Sequence, residues 1–353
     1  MKYIIYPIPY EIHGPPYLEL LYGKVKGRDV EGDEFSLEPF SWKKVLLTRP
    51  KENEKRVVHI HWPTNIYGSE YVLVSLVRGG ARFIGLWILR LFGTKIIWTM
   101  HNMHGHDYPH PWIDTLGQWL MWHTANKVII QERTFAASEK ARRESKKIVC
   151  IPPGNYIDVY GPVFKGDKET LRKQYGLEKD DIVLLSIGSI RPYKALPEVI
   201  DVFNAASKAN AKLRLLIAGK ANKEYSKIIL KHINNNPRIT IRPEYIPDEK
   251  LPDILALADY TICYYTDSAL GSAAIMVSLS YGVPVITRDF PASELVIQDK
   301  GGYVFHEDEE LVEKLTKLNR SNVIPESVID TVRTQDWKQA GMKIQKAYKN
   351  LWK

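Results

Sequence analysis

The chain has 353 residues, more than one core usually accommodates, so two domains of ordinary size are expected. With 44% hydrophobic and 25% charged residues, its composition excludes a disordered, collagenous or disulfide-stapled chain. Lys and Arg outnumber Asp and Glu by 49 to 41, a net charge of +8 that fits either an anionic partner (a phosphate-bearing ligand, nucleic acid or an acidic membrane surface) or a solvated basic exterior.

The opening MKYIIYPIPY reads as a strand that prolines interrupt before an apolar segment long enough for a signal peptide. Glu11, His13 and Gly14 follow in the turn to the first helix, with Pro15 and Pro16 stiffening it. RVVHIHWP is the next strand. VRGGARFIGLWILRLFG, Val77 to Gly93, then mixes three arginines with large apolar side chains, a pattern that suits a helix packed on a sheet and equally one lying on a bilayer. No run of about 18 uninterrupted apolar residues occurs, so a cytosolic protein without a membrane-spanning helix is expected.

TKIIWTMHN, KVIIQER and KIVCIPPG complete the first strand series. The polar segment Tyr160 to Lys179 reads as a linker, with a boundary near Pro162; the expected domains are 1–161, 162–335 and a final helix, 336–353, returning to the first domain. DIVLLSIGSI, LRLLIAGK, RITIRPEYI, DYTICYYT, VPVITRD and GYVFH form the second series. Between them Leu196, Val199, Ile200 and Phe203 keep helical spacing, as do Leu311, Leu315 and Leu318. Cys150 and Cys263 sit inside strand runs, where cysteine acts as a small buried hydrophobe.

Strands of this apolar density alternating with helices imply parallel sheets of β-α-β units: an α/β protein with two Rossmann-like, doubly wound domains facing a central cleft. Ligands in such sheets lie outside the carboxyl ends of the strands. There Arg191 and Lys194 follow LLSIGSI and suit a diphosphate, or are solvated surface cations. Gly271 and Ser272 open an apolar helix whose N-terminal N–H groups suit a ligand phosphate, or serve tight packing. Glu294 falls after the next strand.

The ordered series IPPGNYIDVYG, SIGSIRPYKAL, LLIAGK, YIPDEKLPDILALADY and SYGVPVI resembles the C-terminal half of GT-B glycosyltransferases, in particular glycosyltransferase family 4. HIHWP and TMHNMHGHD are similar to a bacterial subgroup that extends lipid-linked polysaccharide repeat units. The resemblance runs from about Val57 to Glu294. It implies a metal-independent hexosyltransferase acting on a GDP- or UDP-linked sugar, mannose or glucose, with a saccharide or lipid-linked saccharide acceptor. It places Arg191 and Lys194 on the donor diphosphate, His101 against the donor sugar, and Glu294 after the last donor-facing loop. In related enzymes the first loop, here with Gly14, meets either the acceptor or the diphosphate, and Gly14 is taken with the donor-binding residues. Retaining members carry two glutamates where this chain has Ala269 and Val277, which leaves the anomeric outcome open.

TMHNMHGHDYPHP holds His101, His104, His106 and His110, a spacing that matches no metal signature, so no metal site is expected. A base must instead take the proton of the attacking hydroxyl, and His106 or Asp107 suits that role, with His13 as a competitor. Peripheral association with an anionic membrane, on the inner face of the plasma membrane, is expected, and no base-reading nucleic-acid motif is present. Two alternatives stay open: a nucleotide-sugar 2-epimerase, and a module that binds nucleotide sugars without turnover.

Overall fold

The computed structural model describes residues 1–10, 16–105, 108–138, 143, 146–265, 270–297, 300, 302–321 and 323–353. The chain forms two compact units, Met1–Gly154 joined by Gln335–Lys353, and Asn155–Thr334.

The first unit is built on a seven-stranded sheet of order β2-β3-β1-β4-β5-β6-β7. Its strands are β1 (Lys2–Ile8), β2 (Gly27–Arg28), β3 (Glu34–Leu37), β4 (Glu54–Ile60), β5 (Lys95–Met100), β6 (Lys127–Ile130) and β7 (Ile148–Cys150). All pairings are parallel except β2 with β3 at the edge. That edge pair is a departure from the expected parallel sheet. Its strands are two and four residues long and Phe35 alone is buried, so they lack the apolar run that marks the others. Ile5, Val57, Val58, Ile96, Ile97 and Val128 are fully buried, as strands covered on both faces require.

The last helix, Trp337–Lys349, packs in this first unit against the helix Tyr17–Val25. A Cβ at Gly341 would lie 2.8 Å from the Lys24 carbonyl oxygen, so only glycine permits this approach. Gln345 donates to the Val25 carbonyl, 2.9 Å. Lys349 Nζ lies 2.7, 2.5 and 2.8 Å from carboxylate oxygens of Asp29, Glu31 and Asp33. This trio is close enough to hold a cation, and the ammonium of Lys349 already fills that role.

The second unit carries a six-stranded, all-parallel sheet of order β10-β9-β8-β11-β12-β13. The strands are β8 (Ile182–Ile187), β9 (Leu213–Ala218), β10 (Ile239–Arg242), β11 (Tyr260–Cys263), β12 (Val285–Arg288) and β13 (Tyr303–Phe305). The helix Leu196–Ser207 buries Leu196, Val199, Ile200 and Phe203 on this sheet, following its 3.6-residue periodicity.

The segment Tyr160 to Lys179 is not a linker. It contains the helix Lys168–Gln174, capped by Asp167, and its polar residues work inside the unit. Arg172 is 1% exposed; it donates to the carbonyls of Leu257 and Asp181 and pairs with Asp259 at 2.7 Å. Tyr160 N–H bonds the Tyr281 hydroxyl. The units therefore part at 154/155 rather than near Pro162, because the polar side chains of this segment satisfy backbone groups instead of facing water.

Candidate functional site

In the first sheet β1 lies between β3 and β4, so the direction of winding reverses between β1 and β4, where the carboxyl ends leave a crevice. At that end stand His59, at 0% exposure, and His61, at 1%. Two residues apart on an extended chain, they point to the same side, with ring centroids 4.3 Å apart. His101, just beyond β5, is half-buried and stacks on Trp62 at 4.9 Å. Burial depresses all three imidazoles: His59 to about 3, His101 to about 4, and His61 well below the usual value, each disfavoured further by its imidazole neighbours or, for His101, partly offset by Gln131. They are neutral hydrogen-bonding groups at physiological pH.

The loop after His101 is held by Asp114, a carboxylate 2% exposed near the start of the helix Pro111–Thr124. It accepts hydrogen bonds from the Tyr67 hydroxyl at 2.5 Å, Gly105 N at 2.8 Å and Gln118 Nε2 at 3.0 Å. His104 Nδ1 lies 3.6 Å from the same carboxylate, and His110 Nε2 donates to the Glu70 carbonyl at 2.7 Å. The base candidates His106, Asp107 and His13, and the loop glycine Gly14, lie outside the described residues.

In the second sheet the reversal falls between β8 and β11. β8 is followed by Gly188, whose φ of +95° is open to glycine; a Cβ there would lie 2.9 Å from Lys194 Nζ. Lys194 is 8% exposed and turns its ammonium inward onto the Ile187 carbonyl at the end of β8. Burial lowers it to about 8, against a smaller opposing influence of Cys263, whose thiol burial pushes up to about 11. Arg191 is exposed. The two cations thus have different settings: one is built into the strand end, the other lies on the surface.

Tyr193, within the basic turn, stacks on Tyr265 after β11, with centroids 5.9 Å apart and planes at 15°. Tyr265 shares a 2.8 Å hydrogen bond with Ser272 and meets Phe290 edge-on. Ser272 Oγ also accepts from Ile275 N and caps the helix Ala273–Ser280. Ser272 is therefore an N-cap tied to an aromatic shelf, with half-buried Gly271 just before it. Lys194, Tyr193, Tyr265, Ser272 and Phe290 come from the ends of β8, β11 and β12. Glu294 is half-buried in the short 3-10 turn Pro291–Leu295 after β12. Val277, where a retaining enzyme carries a glutamate, is packed at 6% exposure.

Sequence reasoning missed Tyr193, Tyr265, Tyr22, Gln131, Asp114 and the buried setting of His59 and His61. The alternation H-x-H at a strand end was the available signal for the last two.

A further surface belongs to the helix Val72–Leu91. Leu73, Val77, Ile84 and Leu91, on one face at helical spacing, are 72%, 65%, 55% and 84% exposed. Trp112 and Trp119 of the helix Pro111–Thr124 are exposed as well. The helix is long and apolar enough to cross a membrane by length and composition. Its arginines Arg78, Arg82 and Arg90 fold back onto the carbonyls of Gly68, of Asn65 and Ile66, and of Thr124. Ser75, Gly79, Phe83, Leu86 and Leu89 pack inside the unit.

Residues 167–335 match the model for glycosyl transferases group 1. Among curated proteins, the GDP-mannose:glycolipid 4-beta-D-mannosyltransferase of Xanthomonas campestris pv. campestris is 22% identical over 92% of this chain and 85% of that protein. Among solved structures, Anabaena Alr3699/HepE in complex with UDP and glucose superposes with a TM-score of 0.69 at 15% identity, covering 99% of this chain and all of that one. A glycosyltransferase from Rickettsia africae ESF-5 superposes at 0.65 and 16% identity, over 100% and 98% of the two chains.

Proposed function

We propose that this chain, whose residues 167–335 match the group 1 glycosyl transferases and which has the GT-B fold, transfers mannose or glucose from a GDP- or UDP-linked donor to a hydroxyl of a lipid-linked saccharide, without a metal. The observation that carries this reading is the set of groups at the reversal point of the second sheet. Lys194, charged at neutral pH and fixed at a strand end, adjoins the Tyr193–Tyr265 shelf and a capped helix N-terminus. A buried cation and free helix N–H groups suit a pyrophosphate, and they stabilise the charge that grows on it as the bond to the sugar breaks.

In the proposed reaction the acceptor oxygen bonds to the anomeric carbon as the bond from that carbon to the phosphate oxygen breaks. The acceptor proton passes to His106, Asp107 or His13, and the nucleoside diphosphate leaves with the electron pair. Arg191, on the surface of the same turn, meets the outer face of the diphosphate, and Gly14 is assigned a diphosphate contact from its sequence position. Gly271 and Ser272 supply the helix tip, and Glu294 faces the donor from the turn after β12. His101 orients the donor sugar. The apolar Val277 and the β-specific relative support an inverted, β-linked product.

The purified chain, given GDP-mannose and UDP-glucose separately with a polyprenyl-diphosphate-linked disaccharide, is expected to form a trisaccharide-lipid with one donor at a rate unchanged by EDTA. The product should be cleaved by a β-glycosidase and not by its α-counterpart. Release of free sugar or a 2-epimer with no acceptor product would overturn the reading.

The acceptor's lipid places the reaction at a membrane, on the inner face of the plasma membrane. The outward stripe of the helix Val72–Leu91 supports peripheral docking there, since no Asp or Glu occurs between Glu70 and Asp107 to repel anionic headgroups. Vesicles containing anionic phospholipid should sediment the protein, and Leu73→Glu with Ile84→Glu should cut the bound fraction at least roughly tenfold, since each buried apolar side chain contributes about 1.5–3 kcal/mol. Equal sedimentation of the double variant would remove this face from the interaction.

A further inference from the structure

Around His101 the first unit contains a set of polar side chains whose hydrogen bonds, with the Gln131 amide N–H facing Tyr17, follow one assignment of protons. Gln131 donates its amide N–H to the Tyr17 hydroxyl at 3.0 Å, so its carbonyl oxygen is the atom 3.2 Å from His101 Nδ1. A carbonyl oxygen only accepts; Nδ1 of His101 therefore carries the proton and Nε2 is bare. His61 Nδ1 lies 3.3 Å from that bare nitrogen and must donate to it. His61, neutral, then has an unprotonated Nε2, which takes the Tyr22 hydroxyl proton at 2.7 Å.

Tyr22 has now committed its only proton, so it meets His59 Nδ1, 2.9 Å away, as an acceptor. His59 is thus also protonated on Nδ1, which the Tyr348 oxygen approaches to 2.7 Å, and its Nε2 accepts from the Thr99 hydroxyl at 2.8 Å. Every link runs the same way, from Thr99 through His59, Tyr22, His61 and His101 to Gln131 and Tyr17. Side chains of β4, β5, the segment after β6 and two helices contribute, and the interior they occupy is dry enough that an unmatched donor would be costly.

We propose that this one-way relay fixes His101 as the Nδ1–H imidazole, making Tyr22, His61 and Gln131 positioning residues for the sugar-facing group. The inference rests on the glycosyl-transfer reading only for the place of His101 beside the donor sugar. Nε2 of His101 is the relay's most weakly held acceptor, at 3.3 Å from its donor, so a sugar hydroxyl takes a hydrogen bond there by displacing the His61 N–H. A His101 protonated on Nε2 would present a donor there and oppose the same hydroxyl unless the hydroxyl turned.

The chain has ten histidines, few enough for imidazole nitrogens to be read individually by NMR on protein labelled with [15N]histidine and assigned by single substitutions. His59, His61 and His101 are expected as Nδ1–H, the reverse of the Nε2–H form that predominates for neutral histidine in water. Tyr22→Phe should shift the His61 signals, since His61 Nε2 loses its donor, while Gln131 still holds His101 as Nδ1–H, and should lower kcat/KM for the donor roughly tenfold, through an orientation lost rather than a contact removed. Gln131→Leu should release His101 to mixed tautomers at the other end, whereas Gln131→Glu, which still offers an acceptor oxygen, should keep His101 as Nδ1–H. A wild-type His61 or His101 protonated on Nε2, or unchanged signals in both Tyr22→Phe and Gln131→Leu, overturns the relay. The spectra need no substrate. Absence of transfer with every donor would remove the functional reading and leave the relay standing, while Nε2–H signals in an active enzyme would remove the relay alone.

Discussion

Lys194→Met is expected to lower kcat for sugar transfer by roughly 10²–10³-fold while raising the melting temperature. The first effect follows from removing a positioned cation from the leaving diphosphate. The second follows from linkage. Burial lowers the Lys194 ammonium from 10.5 to about 8, so below pH 8 the folded protein holds a charge that water would solvate better in the unfolded chain. Between pH 8 and 10.5 the unfolded state binds the extra proton, and stability rises with pH across that window. Methionine fills the same space without the charge and relieves up to about 3 kcal/mol at neutral pH. Parallel kinetic and calorimetric measurements check both arms. A variant that is inactive and also less stable would show that Lys194 holds the strand end rather than the diphosphate. In the wild type, transfer should fall as pH rises through the pKa of Lys194 in the donor complex, which the bound anion lifts above 8.

The second large effect concerns Asp259→Ala, expected to destabilise the protein by about 3–5 kcal/mol in urea unfolding. Asp259 Oδ2 accepts from Arg172 at 2.7 Å and from Val183 N at 2.9 Å, while Oδ1 lies 3.5 Å from Arg320 Nε. Removing the carboxylate leaves a guanidinium at 1% exposure without its counter-ion and orphans a backbone donor on β8. Asp259→Asn, which keeps an acceptor for Val183 and loses only the charge, should lose markedly less. An alanine variant within 1 kcal/mol of wild type would mean that the carbonyls of Leu257 and Asp181 suffice to hold Arg172.

Much of this molecule can be read along the chain because its sheets are parallel and covered on both sides. Each of the eleven long apolar runs forms a strand, and Leu196, Val199, Ile200 and Phe203 face the core as their spacing requires. Where polarity is the signal, reading by pattern breaks down. The stretch from Tyr160 to Lys179 has the composition of a linker, yet Arg172 is among the most buried side chains, since what buries it is a carboxylate 87 residues later. The same limit hid the relay: Tyr348 and His59 are 289 positions apart, and no local pattern reports that they touch. In RPYK the two cations look equivalent, although an inward turn makes Lys194 part of the strand end and leaves Arg191 in solvent.

That the final helix belongs to the first unit has a consequence for synthesis. The second unit is an insertion, complete once residue 334 has emerged, whereas the first waits for Trp337–Lys349 to bring Tyr348 to His59 and Lys349 to its three carboxylates. At about 5–20 residues per second, residues 155–353 take roughly 10–40 s to translate, during which the nascent first unit lacks the helix that covers Tyr17–Val25. The half made first on the ribosome is thus the half finished last.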